Sequence, residues 1–235
     1  MNRARLRAVL FDAAGTLIEL KEPVGETYAR VARRHGACVP AGRLEDGFRR
    51  IFAAAPAMVF PGAPPAEAAL RERAWWREVV RGTFRAADQQ EELSDFEACF
   101  AELWRHYGSP GAWRARPGAA AVLRTLRSRG LALAILSNFD QRLPPLLAAL
   151  GLAAELDAVV LPAHAGVAKP DRRIFEHALT RLGVPAAEAV YVGDDADADL
   201  AGAHGAGLAA IDVKSLATLE ALPSRLEAGA LEIPS

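Results

Sequence analysis

The chain has 235 residues, of which 51% are hydrophobic and 24% charged, with a formal net charge of -1 at pH 7. That is enough for one large domain, or a core with a smaller insertion, and it supports a packed interior. It excludes the basic field of a nucleic-acid binder. It also lacks an apolar stretch long enough for a membrane span or, behind the basic amino terminus, for a signal peptide, so a cytoplasmic setting is expected.

In chain order, the first predicted element is a strand over residues 7–11, an apolar run stopped by Asp12. Residues 18–115 then read differently, with helix-like stretches at 24–35, 41–55, 66–83 and 95–107 and no strand run among them. Pro61, Pro64 and Pro65 separate two of these helices, and Ser94 to Glu97 has the pattern of a capping box. A helix over 117–127 follows, with Pro117 in its first turn and Gly130 beyond its end. Strands are then predicted at 131–136, ending at Ser137, and at 158–161, ending at Pro162. Pro170 and Asp171 open a helix to Arg181, closed by Gly183. The last two strands, 189–192 and 208–211, end at Gly193-Asp194 and at Asp212. Continuous apolar runs suit strands buried on both faces of a parallel sheet. The expected class is therefore α/β: a doubly wound parallel sheet formed by residues 1–17 and 116–235, with an all-helical insertion at 18–115.

Ligands bind at the carboxyl ends of such strands. Asp12, Ser137, Lys169 and Asp194 fall at or just after those ends, and Asp199 follows five residues later. Carboxylates suit a hard cation, while an ammonium and a hydroxyl suit phosphate oxygens. Only three of the 28 basic residues are lysine (Lys21, Lys169 and Lys214), so the other 25 are arginine. Each lysine is thus a hint of a task that a compact ammonium does better than a guanidinium.

Phe11-Asp-Ala-Ala-Gly-Thr-Leu17 resembles the first motif of the haloacid dehalogenase-like hydrolases, usually Asp-x-Asp-Gly-Thr. Leu136-Ser-Asn138 resembles their second motif, Ala168-Lys-Pro170 their third, and the segment from Val192 to Ala203 their fourth. The insertion resembles the family's type-one helical cap, and the core its Rossmann-like sheet. The resemblance implies Asp12 as the nucleophile that forms an aspartyl-phosphate. It implies Mg2+ held by Asp12, the Ala14 carbonyl and Asp194, with Asp199 in support. Lys169 would pair with Asp12 and the transferring group, and Ser137 would hold a phosphate oxygen. Asn138, Ala13 and Ala14 would meet the substrate, a small phosphorylated molecule. The expected partners include neither nucleic acid nor membrane, and the expected assembly is a monomer or homodimer.

One departure matters. Ala14 stands where the family's phosphatases carry an aspartate that protonates the leaving group and later activates water, a contribution of roughly 10²- to 10⁴-fold. Four readings follow: a slow or selective phosphatase, a phosphonate hydrolase, a binding or regulatory protein that keeps the fold, and a 2-haloacid dehalogenase. The phosphonate enzymes also need a cap lysine, and only Lys21 precedes the second motif. The dehalogenases lack the acidic fourth motif, which this chain has. A magnesium-dependent phosphatase is the reading the resemblance favours.

The remaining polar and aromatic residues have plainer expectations. Asp195 and Asp197 read as exposed helix-start residues, and Gly205 to Gly207 as a turn rather than part of a dinucleotide fingerprint. Trp75 and Trp76 are adjacent helical positions whose rings are not expected to share a face. Phe48, Phe52, Trp104 and Tyr107 are expected in the core of the insertion. His35, His106, His164, His177 and His204 show no ligand spacing, although His164, in the loop before Lys169, is a candidate to support the site. Asp140 is a candidate pocket residue. Cys38 and Cys99 match no zinc or redox spacing.

Overall fold

A computed structural model describes residues 5–87 and 95–228. The chain divides into two compact units, one of Met1–Glu19, Val59–Gly62 and Ala115–Ser235, the other of Leu20–Met58 and Ala63–Arg114.

The first unit is built on five strands: β1 (Ala8–Phe11), β4 (Ala132–Leu136), β5 (Ala158–Val160), β6 (Ala189–Gly193) and β7 (Ala209–Asp212). They pair in the order β5-β4-β1-β6-β7, all parallel. All five lie within about a residue of the apolar runs that predicted them, because a strand covered on both faces has no polar face to blur the signal. Helices α5 (Ala119–Ser128), α6 (Leu143–Ala149), α7 (Pro162–Ala165), α8 (Arg172–Leu182), α9 (Gly202–Gly205) and α10 (Leu222–Glu227) complete the unit. One cluster shows how the sheet is covered: Leu10, Ala134, Leu136, Val160 and Tyr191 pack with Ile174, Phe175 and Ala178 of α8. Asp171 caps α8 by accepting from Arg173 N–H, and Gly183 ends it in the left-handed conformation. The class is α/β, with helices around a parallel, Rossmann-like sheet.

Two expectations fail here. Pro117 lies outside α5, whose N-cap is Gly118 at φ +81°. A Cβ at that position would fall 2.2 Å from the Glu220 side chain, so the helix starts on a glycine that a neighbour needs. Residues 18–115 are also not wholly helical. Ile18–Leu20 (β2) and Trp113–Ala115 (β3) form a separate two-stranded ribbon. Three-residue strands are too short to show a period in sequence.

The second unit carries α1 (Val24–Arg34), α2 (Ala41–Ala54), α3 (Pro65–Ala87) and α4 (Phe96–Tyr107). Tyr28, Val31, Leu44, Val80, Phe84, Phe100 and Leu103 form its core, with Phe48, Trp76, Trp104 and Tyr107 packed against it. Ser94 lies outside the described residues; the cap of α4 is Asp95, which accepts from Ala98 N–H at 3.0 Å. Phe52 is not core: it is 46% exposed. The two tryptophans do share a patch. Their rings touch edge to face at 5.0 Å, and Phe52 contacts Trp75 edge-on and stacks on Trp76. Long side chains with two free χ angles bring together rings that the helical wheel separates. Trp75 also donates its indole N–H to the Pro56 carbonyl at 2.8 Å. Among the described residues, no helix is long and apolar enough to cross a membrane. Cys38 is exposed, whereas burial pushes the Cys99 thiol up to about 12.

Candidate active site

The strand order places the site. β1 lies between β4 and β6, and the chain winds outward on one side before returning to the other, so the sheet's switch point lies beside β1. The register aligns Phe11 with Ile135 and with Val192, which brings the ends of three strands level. Asp12, Ser137 and Asp194 therefore emerge side by side.

Lys169 comes from the loop before α8 and is held by its own backbone. Its N–H donates to Asn138 Oδ1 at 2.8 Å, and its carbonyl accepts from Asn138 Nδ2 at 3.0 Å. Asn138 thus commits its amide to Lys169, whatever else it meets, and acts first as a clamp on the loop. The Lys169–Pro170 peptide is cis. From this anchor Nζ donates to Asp12 Oδ1 at 2.7 Å, to Asp199 Oδ1 at 2.5 Å and to the Tyr191 hydroxyl at 2.8 Å. All three ammonium hydrogens are used, and the side chain is almost wholly buried.

Asp199 arrives by a local irregularity. Residues Ala196–Ala201 form a π-helical turn in which Leu200 N–H reaches Asp195 O at 3.1 Å. Asp195 caps that turn through Asp197 and Ala198 N–H, and both Asp195 and Asp197 are exposed. Asp199 is buried. Its Oδ2 accepts from the backbone N–H of Asp194 at 3.0 Å and of Asp195 at 3.2 Å, while Oδ1 takes Lys169 and lies 2.9 Å from the Tyr191 oxygen. With both oxygens engaged, Asp199 orients Lys169 and the start of the Asp194 loop.

The first-motif loop is equally constrained. Ala13 has a wholly buried methyl, and its carbonyl accepts from the N–H groups of Thr16, Leu17 and Ile18, so both are committed to the fold. Ala14 bridges to Ile18 through Gly15 N–H and the Ala13 carbonyl, which leaves the Ala14 carbonyl outside the bridge. Gly15 has φ +89°, and a Cβ there would lie 2.6 Å from Asp194 Oδ2. At Gly193 a Cβ would lie 2.3 Å from Asp199 Oδ2. These glycines let the backbone approach the acidic cluster. Gly193→Ala is expected to lower stability by about 1–3 kcal/mol, because Asp199 must leave its two N–H donors. Urea unfolding measures this, and an unchanged midpoint would show that the carboxylate moves freely.

Carboxylate oxygens of Asp12, Asp194 and Asp199 all lie within 4.8 Å of one another. Burial pushes Asp12 above its ordinary value; the Lys169 ammonium pulls it back, the Asp199 carboxylate adds to the rise, and hydrogen bonds from Lys169 and Ser137 oppose it. Burial also raises half-buried Asp194, against the pull of Lys214. Desolvation by itself would lower Lys169, but Asp12 and Asp199 outweigh it and hold the ammonium above its usual range. Tyr191 is pushed well up by burial and then by the same carboxylates, so its hydroxyl keeps its proton as a donor. Three carboxylates against two ammonium groups, Lys169 buried and Lys214 exposed, still leave a hard-oxygen site short of positive charge. That donor set fits a divalent cation, which Asp12, Asp194 and Asp199 could hold.

Asp12, Ser137, Lys169, Asp194 and Asp199 therefore converge in one unit, with Ala14 on the adjoining loop. Asp140 is wholly buried and pairs with Arg142, its Oδ2 accepting from Nη2 at 2.5 Å. His164 sits elsewhere: its Nδ1 accepts from Leu161 N–H, and it lines a separate cavity with Leu147, Asp157 and Arg181. Its loop leads to Lys169, but α7 turns the ring toward the β5 side of the sheet. The sequence reading missed Tyr191, hidden within an apolar strand. Its signal was a hydroxyl in a doubly buried run, which must find a partner. Also missed was Arg116, whose Nη1 donates to the Gly15 carbonyl at 3.1 Å; Lys214, one of the three lysines singled out above, lies at Asp194, a partner the sequence did not indicate.

Residues 6–207 match the family model of haloacid dehalogenase-like hydrolases. The haloacid dehalogenase-like hydrolase domain-containing protein 3 of Mus musculus is 38% identical over 207 residues, which span 88% of this chain and 81% of that protein. The structure of L-2-haloacid dehalogenase from Xanthobacter autotrophicus is similar with a TM-score of 0.65 at 26% identity, covering 96% of this chain and 84% of its own. The HAD-hydrolase YfnB from Bacillus subtilis, solved bound to magnesium, gives a TM-score of 0.71 over 95% of this chain and 99% of its own. At 18% identity that likeness is one of fold alone. The match of the family model over most of the length, together with a close relative of the same description, means that this chain belongs to the haloacid dehalogenase-like hydrolases.

Proposed function

We propose that this hydrolase is a magnesium-dependent phosphatase of a small phosphorylated molecule, working through an aspartyl-phosphate on Asp12. The observation that carries the reading is the buried carboxylate of Asp12, held by Lys169 and Ser137 beside a second carboxylate, Asp194, with room in its charge balance for a cation. Lys169 fixes one oxygen of Asp12, leaving the carboxylate oriented for attack on phosphorus. The Asp12–phosphorus bond forms as the phosphorus–oxygen bond to the leaving group breaks. The leaving oxygen keeps the electron pair and takes its proton from solvent, since Ala14 offers none. Water then attacks phosphorus and gives its proton to solvent; the bond between phosphorus and the Asp12 oxygen breaks with its electron pair left on that oxygen, releasing phosphate and restoring the carboxylate. Through both steps Ser137 would hold a phosphoryl oxygen, while Lys169, its hydrogens engaged by Asp12, Asp199 and Tyr191, contributes its positive charge. Bound Mg2+ supplies further positive charge against the phosphoryl oxygens and against Asp12 itself.

Purified protein should release phosphate from acetyl phosphate or p-nitrophenyl phosphate with Mg2+ and lose that activity in chelator. A second reading, 2-haloacid dehalogenation, is favoured by the 26% identical dehalogenase structure, in which case Asp12 would displace halide from carbon. Chloride release from 2-chloropropionate without metal, and no phosphate release from either ester, would replace the phosphatase by the dehalogenase.

A further inference from the structure

The fourth-motif carboxylate already has a cation on it. Lys214 lies in a short 3-10 turn, Val213–Ser215, just beyond β7, the neighbour of β6 in the sheet. The turn is set by Asp212, whose Oδ1 accepts from Lys214 N–H at 2.8 Å. From there the side chain reaches back across the strand ends. Its Nζ donates to the Asp194 backbone carbonyl and stands 3.6 Å from Asp194 Oδ2. Two of the chain's three lysines thus place their ammonium groups on the acidic cluster, one buried and one exposed. An ammonium fits between the carbonyl and the carboxylate of a single residue, which a broad planar guanidinium does less well.

We propose that Lys214 is a tethered competitor for the metal: its ammonium, held on both the carbonyl and the carboxylate of Asp194, weakens divalent-cation binding at the Asp12–Asp194 site. The inference rests on the metal site proposed above and adds to it a device that sets the metal concentration at which the site fills. A like charge a few ångströms from a divalent ion changes its binding several-fold even in a water-like dielectric. The carbonyl contact makes the effect persistent, because the ammonium cannot withdraw without losing a charge-assisted hydrogen bond. The side chain is 63% exposed, so its removal leaves the core untouched.

The test is direct metal binding, read by calorimetry with Mg2+ and by electron paramagnetic resonance with Mn2+. Lys214→Met is expected to bind about three- to tenfold more tightly than the unaltered chain, and Lys214→Arg, which keeps the charge but fits Asp194 less well, to fall between the two. The gain should shrink in about 0.5 M salt, where an exposed charge is screened. Unchanged or weaker binding by Lys214→Met, with binding by the parent that Asp194→Asn removes, overturns the role of Lys214 and leaves the metal site standing. No binding by the parent or by any variant overturns both.

Discussion

Asp12→Asn is expected to reduce magnesium-dependent phosphate release at least about 10³-fold, on the scale seen when an enzyme loses its nucleophile. The amide keeps the shape of the carboxylate but cannot attack phosphorus. Stability should hold or rise slightly. Lys169 retains Asp199 and Tyr191 as partners, and the substitution removes one buried charge that burial and Asp199 both disfavour. Phosphate release and calorimetry on the same preparation separate the two effects. A variant with melting unchanged and turnover within tenfold of the parent would remove Asp12 from the chemistry. A variant that simply unfolds is corrected by reading Lys169→Met beside it, since both act on one pair.

The second large effect concerns the residue that is missing. Ala14→Asp is expected to accelerate hydrolysis of alkyl phosphates by about 10²- to 10⁴-fold, the usual contribution of a positioned general acid. The same change should leave p-nitrophenyl phosphate within about threefold, because that leaving group departs without a proton. Ala14 is only half-buried, so a longer side chain has space to leave the backbone. The nearby carboxylates would raise the new one toward neutrality, which suits a proton donor. A leaving-group series on parent and variant measures this as a change of slope. Equal gains on both ester classes would point to an effect on metal or fold instead. No gain on either would mean that another group already supplies the proton.

How the site could be anticipated is clearest at the strand ends. Phe11 to Asp12, Leu136 to Ser137 and Gly193 to Asp194 each mark the place where a doubly buried apolar strand run gives way to a polar side chain, buried at Asp12 and Ser137 and half-buried at Asp194. The order of those ends along the chain, and the apolar runs before them, were legible without coordinates. The ribbon of β2 and β3 was not, because three residues carry no period. The Trp75–Trp76 contact was also hidden, because χ angles rather than helical position bring the rings together.

Sequence alone determined which charged groups this protein places at the carboxyl edge of its sheet, since strands buried on both faces carry apolar runs up to their ends, the Tyr191 hydroxyl within β6 being the exception. Only the tertiary structure decided how those groups divide their hydrogen bonds. Asp199 spends both oxygens on Lys169, Tyr191 and two backbone N–H groups, Asn138 spends its amide on Lys169, and Lys214 reaches Asp194 from twenty residues away. A carboxylate's role depends on which of its lone pairs remain free. That is fixed by distances of about 3 Å between segments far apart in the chain, which no local pattern encodes.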